Sequence, residues 1–416
     1  LALAATLPLT AIADQENPNA VYDQMAIFAE AIAIVQAEYV EDVDTPSLIE
    51  NALNGALGAL DPHSSYVPPV DFTEQRETAR REYGGLGIEI QSEDGLVKVN
   101  YAIEDGPAYE AGIRGGDFIT AVDGTDIRGK ALDDAVAGMR GLKGEPVTVT
   151  VLSPNQDSRD IVVVRDTVRG RAIRHRVEQG VGYIQLETFN NDQLTKDTTR
   201  ALALLNDELG TLDKLVIDLR GNRGGLLTES ISISGLFLDG GEVLSARGRD
   251  ASDNERYNAE AGELYPNMKI VVLVSSGSAS AAEIVAGALQ DRGRAVVLGR
   301  RSFGKGSVQS VIPLGPDDGA LRLTTQRYYT PSGGSIQGRG IMPDFLISSL
   351  PDTDDGKIRK RFREDSLRNF LINPDETDYE ENHDEILYAP EDYPADEDFQ
   401  LNKAVEILKS SQYEAL

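Results

Sequence analysis

Apolar side chains recur at intervals of three and four residues through residues 20–60. The repeat includes Met25, Phe28, Ile32, Val35, Leu48, Ala52 and Leu57. This spacing places the apolar positions on one face of a helix. Pro62 disfavours helical backbone at the residue before it, so the helical pattern ends there. The sequence predicts a helical N-terminal segment over residues 14–83.

The pattern changes between residues 84 and 168, where short apolar runs alternate with glycines. The runs are residues 86–90, 97–99, 118–122, 147–152 and 161–164. Two stretches with helical spacing, residues 108–111 and 132–139, lie between them. Short strands bounded by glycine, together with two helices, are typical of a small domain.

Longer strand and helix patterns alternate through residues 169–350. The strand patterns 214–219 and 269–274 are followed by helical patterns at 228–238 and 281–290. Such alternation favours helices packed against a sheet. The predicted fold class is therefore α/β (α+β), with the small domain inserted between the N-terminal helical segment and the sheet, and with a helical segment at the C-terminal end as well.

The chain is strongly acidic, with a formal net charge of -29 over 416 residues. This charge argues against nucleic acid and anionic membrane surfaces as partners, because both would repel the chain. Residues 351–416 carry 19 acidic and 8 basic side chains, and residues 375–398 carry 12 acidic side chains and no basic ones. Residues 351–416 thus form an acidic C-terminal extension. Within it, we expect residues 375–398 to be solvated and to have little fixed structure.

The first thirteen residues are apolar, uncharged and end in Ala11-Ile12-Ala13. This Ala-x-Ala pattern before a polar stretch predicts the remnant of a cleaved signal peptide, and hence an exported, periplasmic protein; a short buried helix is the alternative. No other apolar run approaches the roughly 20 residues that span a bilayer, so no integral membrane segment is expected. The absence of cysteine excludes disulfides and thiolate chemistry.

Ser280 lies in a run of small residues between an apolar strand pattern and a helical one. Ser280 and Glu283 fit a capping box, so the serine can be read simply as a helix N-cap. The same position also suits a nucleophile, because free N–H groups at a helix N-terminus can stabilise an oxyanion. The sequence leaves both interpretations open.

A serine nucleophile needs a base, and the three histidines are poorly placed to supply one. His63, His175 and His383 lie in segments that do not pair naturally with the serine turn. Lys305, in a loop flanked by Gly304 and Gly306, is the alternative; a lysine takes a proton only in its neutral form. Its other interpretations are a surface lysine or a phosphate-binding loop, although the full P-loop pattern is absent.

Two further features support a hydrolytic site. Gln309 follows Lys305 by four residues, which on a strand would place both side chains on one face, where the amide oxygen could orient the amine. A glycine-rich segment, residues 218–227, follows another apolar strand pattern. It is either an ordinary turn or the source of a second oxyanion donor, from Gly224 or Gly225.

These segments, in this order, resemble the carboxyl-terminal processing (tail-specific) serine protease family. The matching segments are residues 60–66, 218–227, 277–283, 287–291, 303–309 and 328–333. The resemblance implies a crotonase-like protease core over residues 169–350, with Ser280 as nucleophile, Lys305 as base and Gln309 as its orienting partner. It also implies an oxyanion hole from Ala281 and the Gly224–Gly225 pair, with no cofactor and no metal.

Residues 84–168 resemble the PDZ domain of that family. The segment Gly85-Leu86-Gly87-Ile88 matches the carboxylate-binding loop of a PDZ domain. Successive N–H groups in such a loop can bind a C-terminal carboxylate while the peptide adds to the sheet as a strand. The expected partners are protein or peptide substrates with free C-termini, while an adaptor protein and a homo-oligomer stay open.

Two other functions compete with this endopeptidase assignment. A catalytically inactive PDZ scaffold would bind peptide tails without cleaving them, but the chain has Ser280, Lys305 and Gln309 together. A hydratase-type enzyme would share the crotonase-like fold, but the PDZ domain and the missing acidic pair argue against it. We therefore expect cleavage of exported proteins at or near their C-termini.

Overall fold

The computed structural model describes residues 18–70, 72, 83–93, 95–103, 106–130, 132–154, 157–167, 172–315, 318–349, 353–354, 357–358, 362–375, 385–410 and 413. The chain divides into two compact units, residues 1–56 and 57–416. The expected signal remnant, residues 1–13, lies outside the described residues.

The first unit is helical, as the spacing of its apolar residues predicts. Helix α1 spans Pro18–Glu38 and α2 spans Thr45–Gly58. Asp44 begins the second helix by accepting hydrogen bonds from the backbone nitrogen (3.0 Å) and hydroxyl (2.6 Å) of Ser47. Such a side-chain cap satisfies N–H groups that have no partner within the helix.

The small domain is built on an antiparallel sheet. Its strands are β3 (Ile88–Glu93), β4 (Leu96–Ala102), β5 (Phe118–Val122), β6 (Thr125–Asp126), β8 (Pro146–Leu152) and β9 (Arg159–Val164), and its helices are α3 (Pro107–Glu110) and α4 (Leu132–Met139). The sheet order is β3-β4-β5-β8-β9, with β6 beside β5. Alternate residues of β8 are buried in the core of this domain, which explains the valine repeat in the sequence.

A second, three-stranded sheet joins the two ends of this domain. The strands are β2 (Tyr83–Gly85), β7 (Gly141–Leu142) and β10 (Asp166–Thr167), in the order β10-β2-β7. Because β2 enters the domain and β10 leaves it, their antiparallel pairing brings the entry and exit of the chain side by side. The small domain is therefore tethered at both ends.

The largest sheet has seven strands. They are β11 (Ile173–Glu178), β12 (Val181–Leu186), β13 (Lys214–Asp218), β16 (Lys269–Val274), β17 (Val296–Gly299), β20 (Phe345–Ser348) and β23 (Leu387–Tyr388), in the order β11-β12-β13-β16-β17-β20-β23. All neighbouring pairs are parallel except β11–β12. Helices α5 (Leu194–Leu209), α6 (Leu227–Gly235) and α7 (Ala281–Asp291) share one apolar core with this sheet.

A five-stranded sheet completes the protease-like region. Its strands are β1 (Ser65–Val67), β14 (Gly241–Gly248), β15 (Glu255–Ala259), β18 (Ser307–Pro313) and β19 (Ala320–Tyr329). Strand β1 precedes the small domain in sequence yet pairs with β19, which follows it. Two short strands, β21 (Thr353–Asp354) and β22 (Lys357–Ile358), pair with each other further along the chain.

The expectation of little fixed structure along residues 375–398 is wrong where strand β23 forms, whereas the expected helical C-terminal segment is present as α8 (Phe399–Lys409). Strand β23 extends the seven-stranded sheet, and α8 (Phe399–Lys409) buries Phe399, Leu401 and Leu408 in a second core on that sheet. Asp398 caps α8 by accepting a hydrogen bond from Leu401 N (3.1 Å). The acidic residues 376–384 lie outside the described part of the chain.

No helix in the described ranges is long and apolar enough to cross a membrane.

Candidate active site

Three loops meet because each follows a neighbouring parallel strand. Residues 219–226 follow β13, residues 275–280 follow β16, and residues 300–306 follow β17. Since β13, β16 and β17 are adjacent and parallel, their carboxyl ends lie at the same edge of the sheet. Crevices at this edge are where open α/β sheets bind ligands.

The Ser280 turn has an unusual backbone conformation. Ser280 has a φ of 56° and a ψ of -116°, although it is not a glycine. Such conformations cost on the order of 1–3 kcal/mol and persist where the surroundings enforce them. Here Ser278 anchors the turn, because its hydroxyl donates to Leu219 O (2.7 Å) and accepts from Ser275 N (2.9 Å).

The Ser280 side chain does not act as the helix cap. It makes no capping hydrogen bond, and Glu283 N donates instead to the carbonyl oxygen of Ser280 (2.8 Å). The other half of the capping box is present, because Ser280 N donates to Glu283 Oε2 (2.7 Å). Ser280 is therefore the N-cap residue of α7 through its backbone, as its capping-box pattern predicts, and its hydroxyl is half-buried.

The fully buried carboxylate of Glu283 joins the serine turn to the lysine loop. Besides Ser280 N, it accepts hydrogen bonds from Lys305 N (2.9 Å), Gly304 N (2.6 Å) and Ser302 Oγ (2.6 Å). Burial raises the pKa of Glu283 to about 7, while the four hydrogen bonds favour the ionised form. The sequence indicated a cap at Glu283 and missed this second role.

Every residue of the lysine loop from Ser302 to Gly306 is hydrogen-bonded through its backbone. Phe303 N donates to Ser278 O (2.9 Å), Gly304 O accepts from Gly338 N (2.8 Å), and Gly306 O accepts from Tyr328 N (2.7 Å). A Cβ atom on Gly306 would lie 2.4 Å from Gln337 N, so the loop is tightly packed there. Lys305 is therefore carried on a rigid backbone.

The side chains of Ser280 and Lys305 are both half-buried. Within the described ranges, neither Ser280 Oγ nor Lys305 Nζ has a hydrogen-bond partner, and no hydrogen bond joins the two. Catalytic hydrogen bonds in unliganded enzymes are often long and shorten when substrate binds.

Gln309 lies near this loop, but the predicted alternation with Lys305 is wrong. Strand β18 begins at Ser307, after the lysine, and its register shifts between Val308 and Gln309. The Gln309 amide nitrogen donates to Ser307 Oγ (2.9 Å) and Thr324 Oγ1 (3.2 Å). These bonds fix the amide group and leave its oxygen available as an acceptor.

The glycine-rich loop packs directly against the serine turn. Gly224 has a φ of +94°, and a Cβ atom there would lie 2.9 Å from Ser280 Cβ. Its N–H already donates to Asn222 Oδ1 (2.8 Å). No described acceptor is bonded to the N–H groups of Gly225 and Ala281. Of the glycine pair, Gly225 is thus the one whose N–H has no described acceptor.

Buried Asn222 was missed by the sequence analysis. Its Nδ2 donates to Leu186 O (2.7 Å), and its backbone carbonyl oxygen accepts from Ala279 N (2.9 Å). Together with the bond to Gly224, these contacts fix the glycine loop against both β12 and the serine turn. A buried amide after a strand carries no distinctive sequence signal, so only the fold reveals it.

Comparison with known proteins identifies the family of this site. Residues 180–347 match the family model "Peptidase family S41", and residues 98–153 match "PDZ domain". The chain is 44% identical over 398 residues to the carboxy-terminal-processing protease of Bartonella bacilliformis, covering 94% of this chain and 90% of that protein. The chain belongs to the carboxyl-terminal processing protease family.

A second sequence relative agrees with this assignment, and one similar solved structure is given for comparison. A probable CtpA-like serine protease of Staphylococcus aureus is 33% identical over 341 residues, which cover 81% of this chain and 66% of that protein. Among solved structures, the photosystem II D1 C-terminal processing protease is 28% identical, with a TM-score of 0.45, covering 77% of this chain and 92% of that chain. The protein is a serine-type peptidase with a PDZ domain, as the resemblance implied.

The family's Asp218-Leu219-Arg220 segment has a structural role in this chain. Asp218 is buried at the end of β13, accepts a hydrogen bond from Tyr183 Oη (2.8 Å) and pairs with Arg220 (2.6 Å). Arg220 also pairs with Asp398 (2.6 Å), the cap of α8. These ion pairs connect the strand that precedes the glycine loop to the C-terminal helix.

The PDZ loop has free N–H groups where the family resemblance places a carboxylate. Leu86 O accepts from Ala108 N (2.8 Å) and Gly87 O accepts from Ile103 N (2.8 Å), which fixes the loop. The N–H groups of Leu86 and Gly87 have no backbone acceptor among the described residues. Gly85 lies in β2, and Ile88 begins β3, which is the edge strand of its sheet.

No group of three or more histidine, cysteine, aspartate or glutamate side chains in the described ranges could hold a metal ion.

The raised pKa of Glu283 predicts how stability changes with pH. The folded protein holds this proton more tightly than the unfolded chain does, because the pKa rises from 4.5 to about 7. Its contribution to the free energy of unfolding is therefore complete below about pH 4.5 and is lost as pH rises through about 7. Denaturant unfolding from pH 5 to 8 should show this decrease, and Glu283→Gln should remove it. An equal slope in both proteins would contradict the assignment.

Proposed function

We propose that the protein cleaves polypeptides with a Ser280–Lys305 dyad. The observation that carries the proposal is the buried Glu283 carboxylate, which hydrogen-bonds the backbone of Ser280 and of Lys305 at once. Two chemically suited side chains are thereby held on rigid backbone at one edge of the sheet. Holding reacting groups in place lowers the entropic cost of their reaction.

In the proposed reaction, neutral Lys305 Nζ takes the proton of Ser280 Oγ as the oxygen attacks the carbonyl carbon of the scissile peptide bond. The resulting oxyanion accepts hydrogen bonds from the N–H groups of Ala281 and Gly225. The tetrahedral intermediate collapses, the C–N bond breaks, and Lys305 returns the proton to the leaving amine. Water, deprotonated in turn by Lys305, then hydrolyses the acyl-enzyme and regenerates Ser280.

Gln309 completes this arrangement as the orienting residue. Its amide nitrogen is committed to Ser307 and Thr324, so its oxygen is the group left to accept from the lysine amine. An amide oxygen fixes the direction of the amine without adding a negative charge. A carboxylate in that place would favour the charged lysine, which cannot act as a base.

We also propose that the PDZ domain receives the substrate C-terminus. The free N–H groups of Leu86 and Gly87 support carboxylate binding, and the open edge of β3 supports addition of the peptide as a strand.

The Ala-x-Ala pattern at Ala11–Ala13 supports export to the periplasm. N-terminal sequencing of the periplasmic protein should start at Asp14, and recovery of the uncleaved chain from the cytoplasm would contradict export.

The dyad predicts that Ser280→Ala, Lys305→Ala and Lys305→Arg each lower kcat on an unfolded protein substrate by on the order of 10,000-fold or more. Each change removes one half of a unit that cannot act singly, and an arginine does not give up its proton. Mass spectrometry of the products measures the loss, with Lys403→Ala as the matched control, because Lys403 is a half-buried lysine on α8 that pairs with Glu406. Activity near that of the unmodified enzyme in any of the three variants would disprove the dyad.

Tail capture predicts that amidating the C-terminus of one unstructured substrate raises its apparent KM by about 10-fold or more. The amide removes the charge that the loop N–H groups would bind, and hydrogen bonds to a charged group contribute about 1.5–3 kcal/mol. Steady-state cleavage of the free and amidated forms measures the difference. Equal KM values for the two forms would mean that the loop does not bind the tail.

A further inference from the structure

His63, from the segment that precedes the PDZ domain, contacts a buried carboxylate 301 residues away. Its Nε2 lies 2.8 Å from Glu364 Oε1 and 3.0 Å from Glu364 Oε2. Glu364 is fully buried, whereas the His63 side chain is 17% exposed. We assign the shared proton to His63 Nε2, because a carboxylate accepts hydrogen bonds and does not donate them.

The segment that carries His63 is itself fixed. Asp61 accepts hydrogen bonds from His63 N (2.8 Å), Ser64 N (2.8 Å) and Ser64 Oγ (2.7 Å). Ser64 Oγ in turn accepts from Thr324 N on β19 (3.1 Å). These bonds are made by the His63 backbone and by Ser64, not by the His63 ring. They hold the backbone that carries the ring even without the Glu364 contact.

From Glu364 the hydrogen bonds continue to both flanks of Lys305. Buried Gln337 donates through Nε2 to Glu364 Oε1 (3.0 Å), and its Oε1 accepts from Gly306 N (3.1 Å). Glu364 N donates to Phe303 O (3.0 Å). Gly306, which follows Lys305, and Phe303, which precedes it by two residues, are therefore both bonded to this cluster.

The cluster bonds other backbone groups of the lysine loop than Glu283 does. Glu283 accepts hydrogen bonds from the N–H groups of Gly304 and Lys305, whereas the Gln337 side chain accepts a hydrogen bond from the N–H of Gly306. In a network of this kind each bond depends on its neighbours, because the loss of one partner leaves a polar group undersatisfied and lets the groups bonded to it shift. Removing the His63 donor would leave the Glu364 carboxylate undersatisfied, so that Glu364 would shift together with the Gln337 amide bonded to it and weaken the bond from Gly306 N.

We propose that His63, Glu364 and Gln337 form a positioning relay that fixes the loop carrying Lys305. The proposal rests on the assignment of Lys305 as the base. It gives a role to the Leu60–Tyr66 segment, whose sequence matches the family but which supplies no reacting group. His63 is then a positioning residue, and the segment before the PDZ domain is part of the catalytic apparatus of the sheet that follows it.

The test compares two amides that differ in where they place an N–H donor. Glutamine at position 63 puts its amide nitrogen close to the place of His63 Nε2, whereas asparagine reaches only as far as Nδ1. His63→Gln should keep kcat within a few-fold of the unmodified enzyme, and His63→Asn and His63→Ala should lower kcat by about 10- to 100-fold with little change in KM. His175→Ala, which changes an exposed histidine on β11, is the matched control.

The readout is the rate at which a fluorophosphonate probe reacts with Ser280, together with kcat and KM for a peptide substrate. Adding imidazole to His63→Ala should restore part of the phosphonylation rate, because the site is partly open to solvent and the missing donor can re-enter. A purely structural role would lower the melting temperature without this rescue and without a difference between Gln and Asn.

The outcomes separate the relay from the dyad. If Lys305→Ala is inactive but all three His63 variants react like the unmodified enzyme, the relay is wrong and the dyad stands. Equal loss in His63→Gln and His63→Asn, with no imidazole rescue, also overturns the relay. If Lys305→Ala itself keeps its phosphonylation rate, the base assignment fails first, whatever the His63 variants do.

Discussion

The site depends on one buried carboxylate that accepts four hydrogen bonds from two loops. Glu283 lies in the first turn of α7, so it reaches back to Ser280 N as a helix cap does. Its remaining acceptor capacity is used by Ser302, Gly304 and Lys305. Because one buried carboxylate holds both segments, a movement of either the serine turn or the lysine loop disturbs the bonds of the other. The strained backbone at Ser280 is kept in place by the same contacts.

The topology brings these loops to one place. Strands β13, β16 and β17 are parallel neighbours, so the glycine loop, the serine turn and the lysine loop all leave the sheet at the same edge. The PDZ domain separates β1 from the strands that follow it in the sequence. It does not disturb their pairing, because β2 and β10 pair where the chain enters and leaves the domain. The segment before it returns to the core through β1, which pairs with β19. The PDZ domain is thus inserted while the five-stranded and seven-stranded sheets stay intact.

Much of this organisation could be predicted from the sequence, because it follows from local pattern. Apolar periodicity gave the helices of the first unit and the α/β alternation, and small residues between a strand and a helix located the Ser280 turn. The contacts that assemble the site join distant parts of the chain. Nothing local indicates that Glu283 bonds the lysine loop, or that His63 reaches a glutamate 301 residues later.

The two structural corrections also have physical causes. Alternation from Lys305 to Gln309 assumed a regular strand, whereas the lysine precedes β18 and the register shifts inside it. In the tail, the density of acidic residues along 375–398 obscured strand β23, which extends the seven-stranded sheet ahead of the apolar helix α8. The charge of residues 375–398 predicted that they are exposed. The last of them, Asp398, instead forms an ion pair with Arg220, which holds it against the sheet.

The most direct test of the central claim is hydrogen–deuterium exchange of the two loops, followed by mass spectrometry of peptides covering residues 278–281 and 303–306. In the unmodified protein both peptides should be protected, because Glu283 accepts three of their amides. Glu283→Ala should accelerate exchange in both peptides together, whereas Glu229→Ala, which removes a buried glutamate bonded to Thr195, should leave both unchanged. Protection that persists in either peptide of Glu283→Ala would show that the carboxylate does not couple the loops.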